Sequence, residues 1–147
     1  MKKIISATVA ILMLMLSLVG CSNEEPEFDM LKERIRIRDN GYSEVDDYGQ
    51  PDYYSIDYSA QYTEEIASTG GSATVNVVIN CYMVKDVDPS FFCLMIKFET
   101  TAEASAYAQC RMKLRDAGSD VKIAQTKENV VITNATDVQK NLNLEFK

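Results

Sequence analysis

Apolar and polar residues alternate over two neighbouring stretches of the chain, 73–83 and 91–98. In the first stretch every odd position is apolar, namely Ala73, Val75, Val77, Ile79, Cys81 and Met83. In the second stretch the even positions form an apolar set, namely Phe92, Leu94, Ile96 and Phe98. A period of two is typical of strands with one buried face, and Asp88-Pro89 between the stretches favours a turn. The pattern predicts a β-hairpin whose core face combines the odd positions of the first strand with the even positions of the second.

Other segments have the pattern of helices and short strands. Three apolar residues recur at helical spacing before Asn40-Gly41 and predict a helix over 28–38, although alternation over 35–38 is a competing strand signal. These three residues are Phe28, Leu31 and Ile35. The further predicted elements are a strand over 42–45, helices over 59–68 and 101–117, strands over 121–124 and 130–133, and a helix over 136–144. This order predicts an α+β fold in which helices pack on one face of an antiparallel sheet. Its middle part, β-α-β-β-α-β, is the element order of the ferredoxin-like fold.

The first 22 residues have the pattern of a bacterial export signal. Lys2 and Lys3 precede an uncharged apolar stretch over 4–18, which is shorter than the roughly 20 residues that a membrane-spanning helix needs. The stretch closes with Leu18-Val19-Gly20-Cys21. A Leu three places before a Cys, with a small residue just before that Cys, resembles the lipobox of bacterial lipoproteins.

The resemblance implies how the chain is processed and where it is located. In bacterial lipoproteins the cysteine receives a diacylglycerol thioether, and the signal peptide is cut off before it, here between Gly20 and Cys21. The resemblance thus implies a mature protein held by acyl chains on the extracytoplasmic side of the cell membrane or the outer membrane. The alternatives are an ordinary secretory signal with a chance cysteine and an uncleaved membrane anchor. In overall plan the chain is also similar to small α+β surface lipoproteins, a likeness that assigns no functional residue.

Composition predicts three parts of the chain and limits its partners. The three parts are a signal peptide over 1–20, a lipidated cysteine with an acidic tether over 21–27, and a single α+β domain over 28–147. Cleavage removes two lysines and no acidic residue, so the net charge of −7 becomes −9. This charge argues against a nucleic-acid partner, whose phosphates require Lys and Arg. It argues equally against attraction of the whole domain to anionic lipid, so the predicted membrane contact is the lipid on Cys21.

Residue types suited to catalysis and metal binding are poorly represented. The chain has no His, which removes the commonest general base and many transition-metal sites. Acid pairs at 46–47, 64–65 and 86–88 are expected by chance among 22 acidic residues. The loop acids Asp46, Asp47 and Asp52 do not have the spacing of an EF-hand calcium loop. We therefore predict no catalytic residue, no metal site and no cofactor, with a carboxylate-based hydrolase as an alternative.

Three cysteines besides Cys21 lie in the predicted domain. In the predicted hairpin Cys81 is on the core face and Cys93 on the opposite face, which excludes a disulfide between them. Cys110 lies on the core side of its predicted helix, so the pattern permits a disulfide between Cys81 and Cys110. The alternative is that all three are free, buried thiols.

Aromatic and apolar residues outside the predicted core indicate an interaction surface. Six of the eight tyrosines fall within residues 42–62. The second face of the hairpin is also more apolar than a sheet surface that faces solvent. The candidate contact residues are Tyr48, Tyr53, Tyr54, Tyr82, Phe91 and Met95. The alternative is that the N-terminal helix or the Tyr-rich segment covers this face.

Together these features predict a membrane-anchored extracytoplasmic module that binds a protein or a small ligand. An envelope protein that associates with itself through the open sheet face is the alternative. A hydrolase that uses only carboxylates is a further alternative.

Overall fold

The computed structural model describes residues 27–45, 58–76 and 78–147. The described helices are α1 (Met30–Asp39), α2 (Ser59–Ser68), α3 (Thr101–Leu114) and α4 (Thr136–Leu142). The described strands are β1 (Tyr42–Glu44), β2 (Val78–Lys85), β3 (Asp88–Phe98), β4 (Lys122–Thr126) and β5 (Asn129–Thr133). None of the described helices is both long and apolar enough to cross a bilayer. The α+β class and the antiparallel sheet are confirmed. The predicted signal peptide, Cys21 and the segment with Tyr48, Tyr53 and Tyr54 lie outside the described residues.

The described strands form one sheet in the order β1-β2-β3-β5-β4, and every neighbouring pair is antiparallel. The segment β3-α3-β4 is a split βαβ unit, because β3 and β4 both run antiparallel to β5, which lies between them. β1 does not complete a second unit of this kind, since it pairs directly with β2 at the sheet edge. The ferredoxin-like arrangement is therefore not confirmed.

A register shift in the β2–β3 hairpin decides which residues share a face of the sheet. At the turn Lys85 pairs with Asp88, and the register shifts between Lys85 and Val84. Beyond the shift Cys81 pairs with Met95, so the odd positions of both strands lie on one face and the even positions on the other. The prediction that odd positions of the first strand join even positions of the second was wrong. The shift leaves no trace in the alternation of apolar residues within either strand.

Helices cover both faces of the sheet. On one face α2 and α3 pack against the even positions of the hairpin, in a core that includes Tyr62, Ile66, Val78, Ile96, Phe98, Tyr107 and Ile132. On the other face α1 and α4 pack against the odd positions, in a core that includes Met30, Ile37, Cys81, Met83, Cys93, Met95 and Val138. The prediction that the helices lie on one face was therefore wrong. Both faces of the hairpin are apolar, and each needs a cover of its own.

Helix caps position these layers. Thr100 and Glu103 form a capping box at the start of α3. Asp29 caps α1 by accepting hydrogen bonds from two backbone N–H groups of its first turn. The buried Glu103 carboxylate also accepts a 3.0 Å hydrogen bond from the backbone N–H of Asn76. This bond ties the segment before β2 to the beginning of α3.

Candidate functional site

The turn end of the β2–β3 hairpin carries the most exposed large apolar side chain of the described residues. Val87, in the turn itself, is 85% exposed, and Phe91 is 40% exposed. Val87 stands between the exposed Asp86 and Asp88. Tight turns favour Gly, Asn, Asp or Pro because of their backbone conformations, so a branched apolar residue has no local structural reason to be here.

Lys85 connects Phe91 to the edge of the sheet. Its Nζ lies 5.6 Å from the ring centroid of Tyr42 and 5.9 Å from that of Phe91, within the range of cation–π contacts. The same Nζ donates a 2.6 Å hydrogen bond to Oδ2 of Asp137. Oδ1 of Asp137 accepts a 2.8 Å hydrogen bond from the Tyr42 hydroxyl. We call Tyr42, Lys85, Val87, Phe91 and Asp137 the hairpin-end cluster.

The charges of the hairpin-end cluster are balanced within it. Burial, and then the hydrogen bond to Asp137, raise the pKa of Tyr42, so its hydroxyl stays protonated. Burial on its own would raise the pKa of Asp137, but hydrogen bonds from Lys85 and Tyr42 lower it below its ordinary value. Asp137 therefore remains a carboxylate near neutral pH and neutralises Lys85. The charged groups of the cluster are therefore paired with each other, and the side chains that it exposes to solvent are apolar.

Two further predicted contact residues within the described part of the chain, Tyr82 and Met95, do not join this cluster. Tyr82 lies on the opposite face of the sheet, where its ring centroid is 5.9 Å from that of Phe92. Met95 is completely buried beneath α1 and α4. It was wrongly placed on an open surface, because that face of the sheet is covered. Val87 was missed, although a Val between two Asp residues in a predicted turn is a signal that the sequence does contain.

A second exposed apolar surface lies on α1. Leu31 and Ile35 are 58% and 48% exposed, whereas Met30 and Ile37 are buried. Of the predicted apolar stripe, Leu31 and Ile35 therefore face outward, whereas Phe28 packs against the core together with Met30 and Ile37. An open groove of about 810 Å³ adjoins the start of α1. Its lining includes Phe28, Leu31, Ile79, Lys97 and Glu128.

The three cysteines of the described residues are free and buried. Cys81 and Cys93 belong to the core under α1 and α4, and Cys110 belongs to the core under α2 and α3. A disulfide between Cys81 and Cys110 would have to pass through the sheet, so that pairing is excluded. The placement of Cys81 and Cys93 on opposite faces was also wrong, because of the register shift. Burial raises the pKa of the Cys81 thiol to about 12, which makes it a poor nucleophile near neutral pH.

Several acidic side chains of the described residues hold structural elements together. Glu65 of α2 accepts hydrogen bonds from the Tyr107 hydroxyl at 3.1 Å and from the Arg111 guanidinium at 3.3 Å, both on α3. Hydrogen bonds from Ser90 lower the pKa of the exposed Asp88, which makes this carboxyl a poorer proton donor near neutral pH. Within the described residues, no group of three or more acidic or Cys side chains is placed to hold a metal ion. The loop acids considered for calcium lie outside them.

No protein-family model matches the chain, and no curated protein or solved structure is significantly similar to it. The N-terminal motif and the two exposed apolar surfaces are the features of the chain that bear on its function.

Proposed function

We propose that the protein is an extracytoplasmic lipoprotein that is anchored through Cys21 and binds a protein partner through the hairpin-end cluster. The sequence Leu18-Val19-Gly20-Cys21 supports the anchor. The folded part begins close behind it, since Phe28 already packs against the core under α1 and α4. A short tether of this kind keeps the domain near the membrane surface.

The exposure of Val87 is the observation that carries the binding role. Covering a Val side chain contributes roughly 1.5–3 kcal/mol, which the free protein does not gain at 85% exposure. Phe91 adds an aromatic ring, whose centroid lies 5.9 Å from Nζ of Lys85. Asp86 and Asp88 flank the apolar tip, so the complementary partner surface is an apolar pocket with a basic rim.

The anchor leaves the hairpin-end cluster accessible. The groove at the start of α1 brings Phe28 next to Ile79 and Lys97, at the end of the hairpin opposite the turn. The eight residues of β2 span roughly 26 Å between these two ends. A partner can therefore reach Val87 without displacing the tether.

The anchor is tested by the intact mass of protein extracted from membranes. The wild-type protein should lack residues 1–20 and carry acyl mass on Cys21, whereas Cys21→Ser should lose the acylation and the cleavage. Ser22→Ala is the matched control, because it alters the neighbouring side chain and keeps the thiol. A mature protein with an unmodified Cys21 would contradict the anchor.

The binding role is tested with a photo-crosslinking amino acid placed at Val87 in living cells. We expect one discrete adduct, which Phe91→Ser should weaken. The same probe at Leu114, a 50% exposed residue of α3, is the control and should give no such adduct. Equal adducts at both positions, or none at either, would contradict binding at the hairpin end. An adduct with twice the mass of the chain would assign the surface to self-association instead.

A further inference from the structure

The outer side of α1 places apolar residues between basic ones. At about 100° per residue, Leu31, Ile35 and Asp39 form the middle row of the exposed side of the helix. Lys32 and Arg36 flank this row on one side, and Arg38 flanks it on the other. All six side chains are exposed. We call these six residues the α1 face.

The α1 face is a basic patch on an acidic protein. The helix contains four basic and two acidic residues, whereas the whole chain has a net charge of −7. Arg36 pairs with Glu33, one turn away, at 2.8 Å. Lys32 and Arg38 have no ion-pair partner within the described residues.

The length of the tether keeps α1 near the lipid. Glu27, the first described residue, follows Cys21 by six positions, which span roughly 20 Å at full extension. α1 begins three residues later, at Met30. Acyl chains inserted in a bilayer would hold Cys21 at the lipid headgroups. Of the described helices and strands, α1 is the nearest to Cys21 along the chain.

We infer that the α1 face is a docking surface for anionic phospholipid headgroups, on which the anchored domain lies. This inference rests on the anchor proposed above. Leu31 and Ile35 enter the boundary between headgroups and acyl chains, while the basic side chains contact phosphates, as in helices that lie in a membrane interface.

Local charge decides this contact, although the net charge of the whole chain predicts repulsion from anionic lipid. At physiological ionic strength charges act over a distance of about 8 Å. Acidic residues on the far side of the sheet are therefore screened from the lipid surface. The basic residues of the α1 face lie within that distance when the helix rests on the headgroups.

In the test, a tag instead of the acyl chains on Cys21 attaches the mature chain to a lipid vesicle. Cys21→Ser with an added amino-terminal hexahistidine tag is bound to nickel-chelating lipid, and the chain contains no His of its own. A polarity-sensitive fluorophore is attached at Leu31→Cys or, as the matched control, at Leu114→Cys. The native thiols of the described residues are buried and stay unlabelled. The vesicles consist of phosphatidylcholine alone or with added phosphatidylglycerol.

On vesicles with phosphatidylglycerol, the fluorophore at Leu31→Cys should shift to the blue and become protected from an aqueous quencher. The fluorophore at Leu114→Cys should do neither. Lys32→Glu should weaken the docking equilibrium about fivefold or more, whereas Lys113→Glu on α3 should leave it unchanged.

Two results would overturn the inference. Equal spectra on both vesicle types would show that the α1 face does not recognise anionic lipid. The proposed anchor is tested separately, by the intact mass of the protein extracted from membranes. Protection that appears without vesicles and increases with protein concentration would assign the α1 face to a second copy of the chain.

Discussion

The hydroxyl of Tyr42 donates a 2.8 Å hydrogen bond to Oδ1 of Asp137, which links β1 to the first turn of α4. Tyr42 is only 1% exposed, so its hydroxyl has little access to water. Asp137 also accepts hydrogen bonds from Lys85 and from the backbone N–H of Val138. One carboxylate thus holds the edge of the sheet, the hairpin and the closing helix together.

Removing the Tyr42 hydroxyl should weaken the fold without disturbing the core. Tyr42→Phe is expected to lower the free energy of unfolding by about 1–2 kcal/mol, because it removes a hydrogen bond to a charged acceptor and keeps the ring. Urea unfolding measures the change. Tyr82→Phe is the control, since no hydrogen bond of the Tyr82 hydroxyl is seen within the described residues, and it should change stability by less than about 0.5 kcal/mol. A larger loss in Tyr82→Phe than in Tyr42→Phe would contradict the role of this contact.

Asp137 should also make stability sensitive to acid. Against the effect of burial, hydrogen bonds from Lys85 and Tyr42 lower its pKa in the folded protein below the ordinary value of 3.8. The unfolded chain then binds a proton at a higher pH than the folded chain does. The contribution of Asp137 to stability is therefore complete above the ordinary pKa and is lost as the pH falls through the lowered one.

The measurement is urea unfolding at a series of acidic pH values. Asp137→Asn should reduce the dependence of the unfolding free energy on pH below about pH 4. Asp120→Asn, at an exposed position, controls for the loss of one acidic residue. If Asp137→Asn and the wild-type protein lost stability with the same slope, the hydrogen bonds to Asp137 would not stabilise its charged form.

Local elements of this fold could be predicted from the sequence, because alternation and helical spacing are properties of neighbouring residues. The helix α2 was predicted with its observed bounds, Ser59–Ser68. The apolar even positions of β3, including Ile96 and Phe98, were placed in the core and lie there. The class of the fold followed from the order of such elements.

The relation between elements could not be predicted in the same way. The register shift between Val84 and Lys85 exchanges the faces on which side chains lie, and it moved Cys93 and Met95 into the core beneath α1 and α4. α1 has apolar residues on two sides, and tertiary contacts decide that Ile37 is buried. Of the hairpin-end cluster only Phe91 was among the six predicted contact residues. The hydrogen bonds of Asp137 with Tyr42 and Lys85 join residues far apart in the chain, which no local pattern predicts.

Met95 and Phe91 are both odd positions of β3. Substitutions at these two positions test whether α1 and α4 cover this face of the sheet. Met95→Lys should lower the free energy of unfolding by about 3 kcal/mol or more, because it buries a charge at a position that is 0% exposed. Phe91→Lys, at a position that is 40% exposed, should lower it by less than about 1 kcal/mol. Thermal unfolding followed by circular dichroism compares the two. A stable Met95→Lys protein would mean that this face of the sheet is open.

The three buried thiols should be protected by the fold itself. Cys81, Cys93 and Cys110 are 0%, 0% and 2% exposed, and burial raises the pKa of Cys81 to about 12. Because a thiolate must form and be reached by the reagent, labelling of the native mature chain with Cys21→Ser should require unfolding. Mass spectrometry should then find no label on the native protein and three labels in urea, while Leu114→Cys provides an exposed thiol that reacts at once. A single label in urea would show that two of these cysteines form a disulfide. The sheet separates Cys110 from Cys81 and Cys93, which excludes a disulfide of Cys110 with either of them.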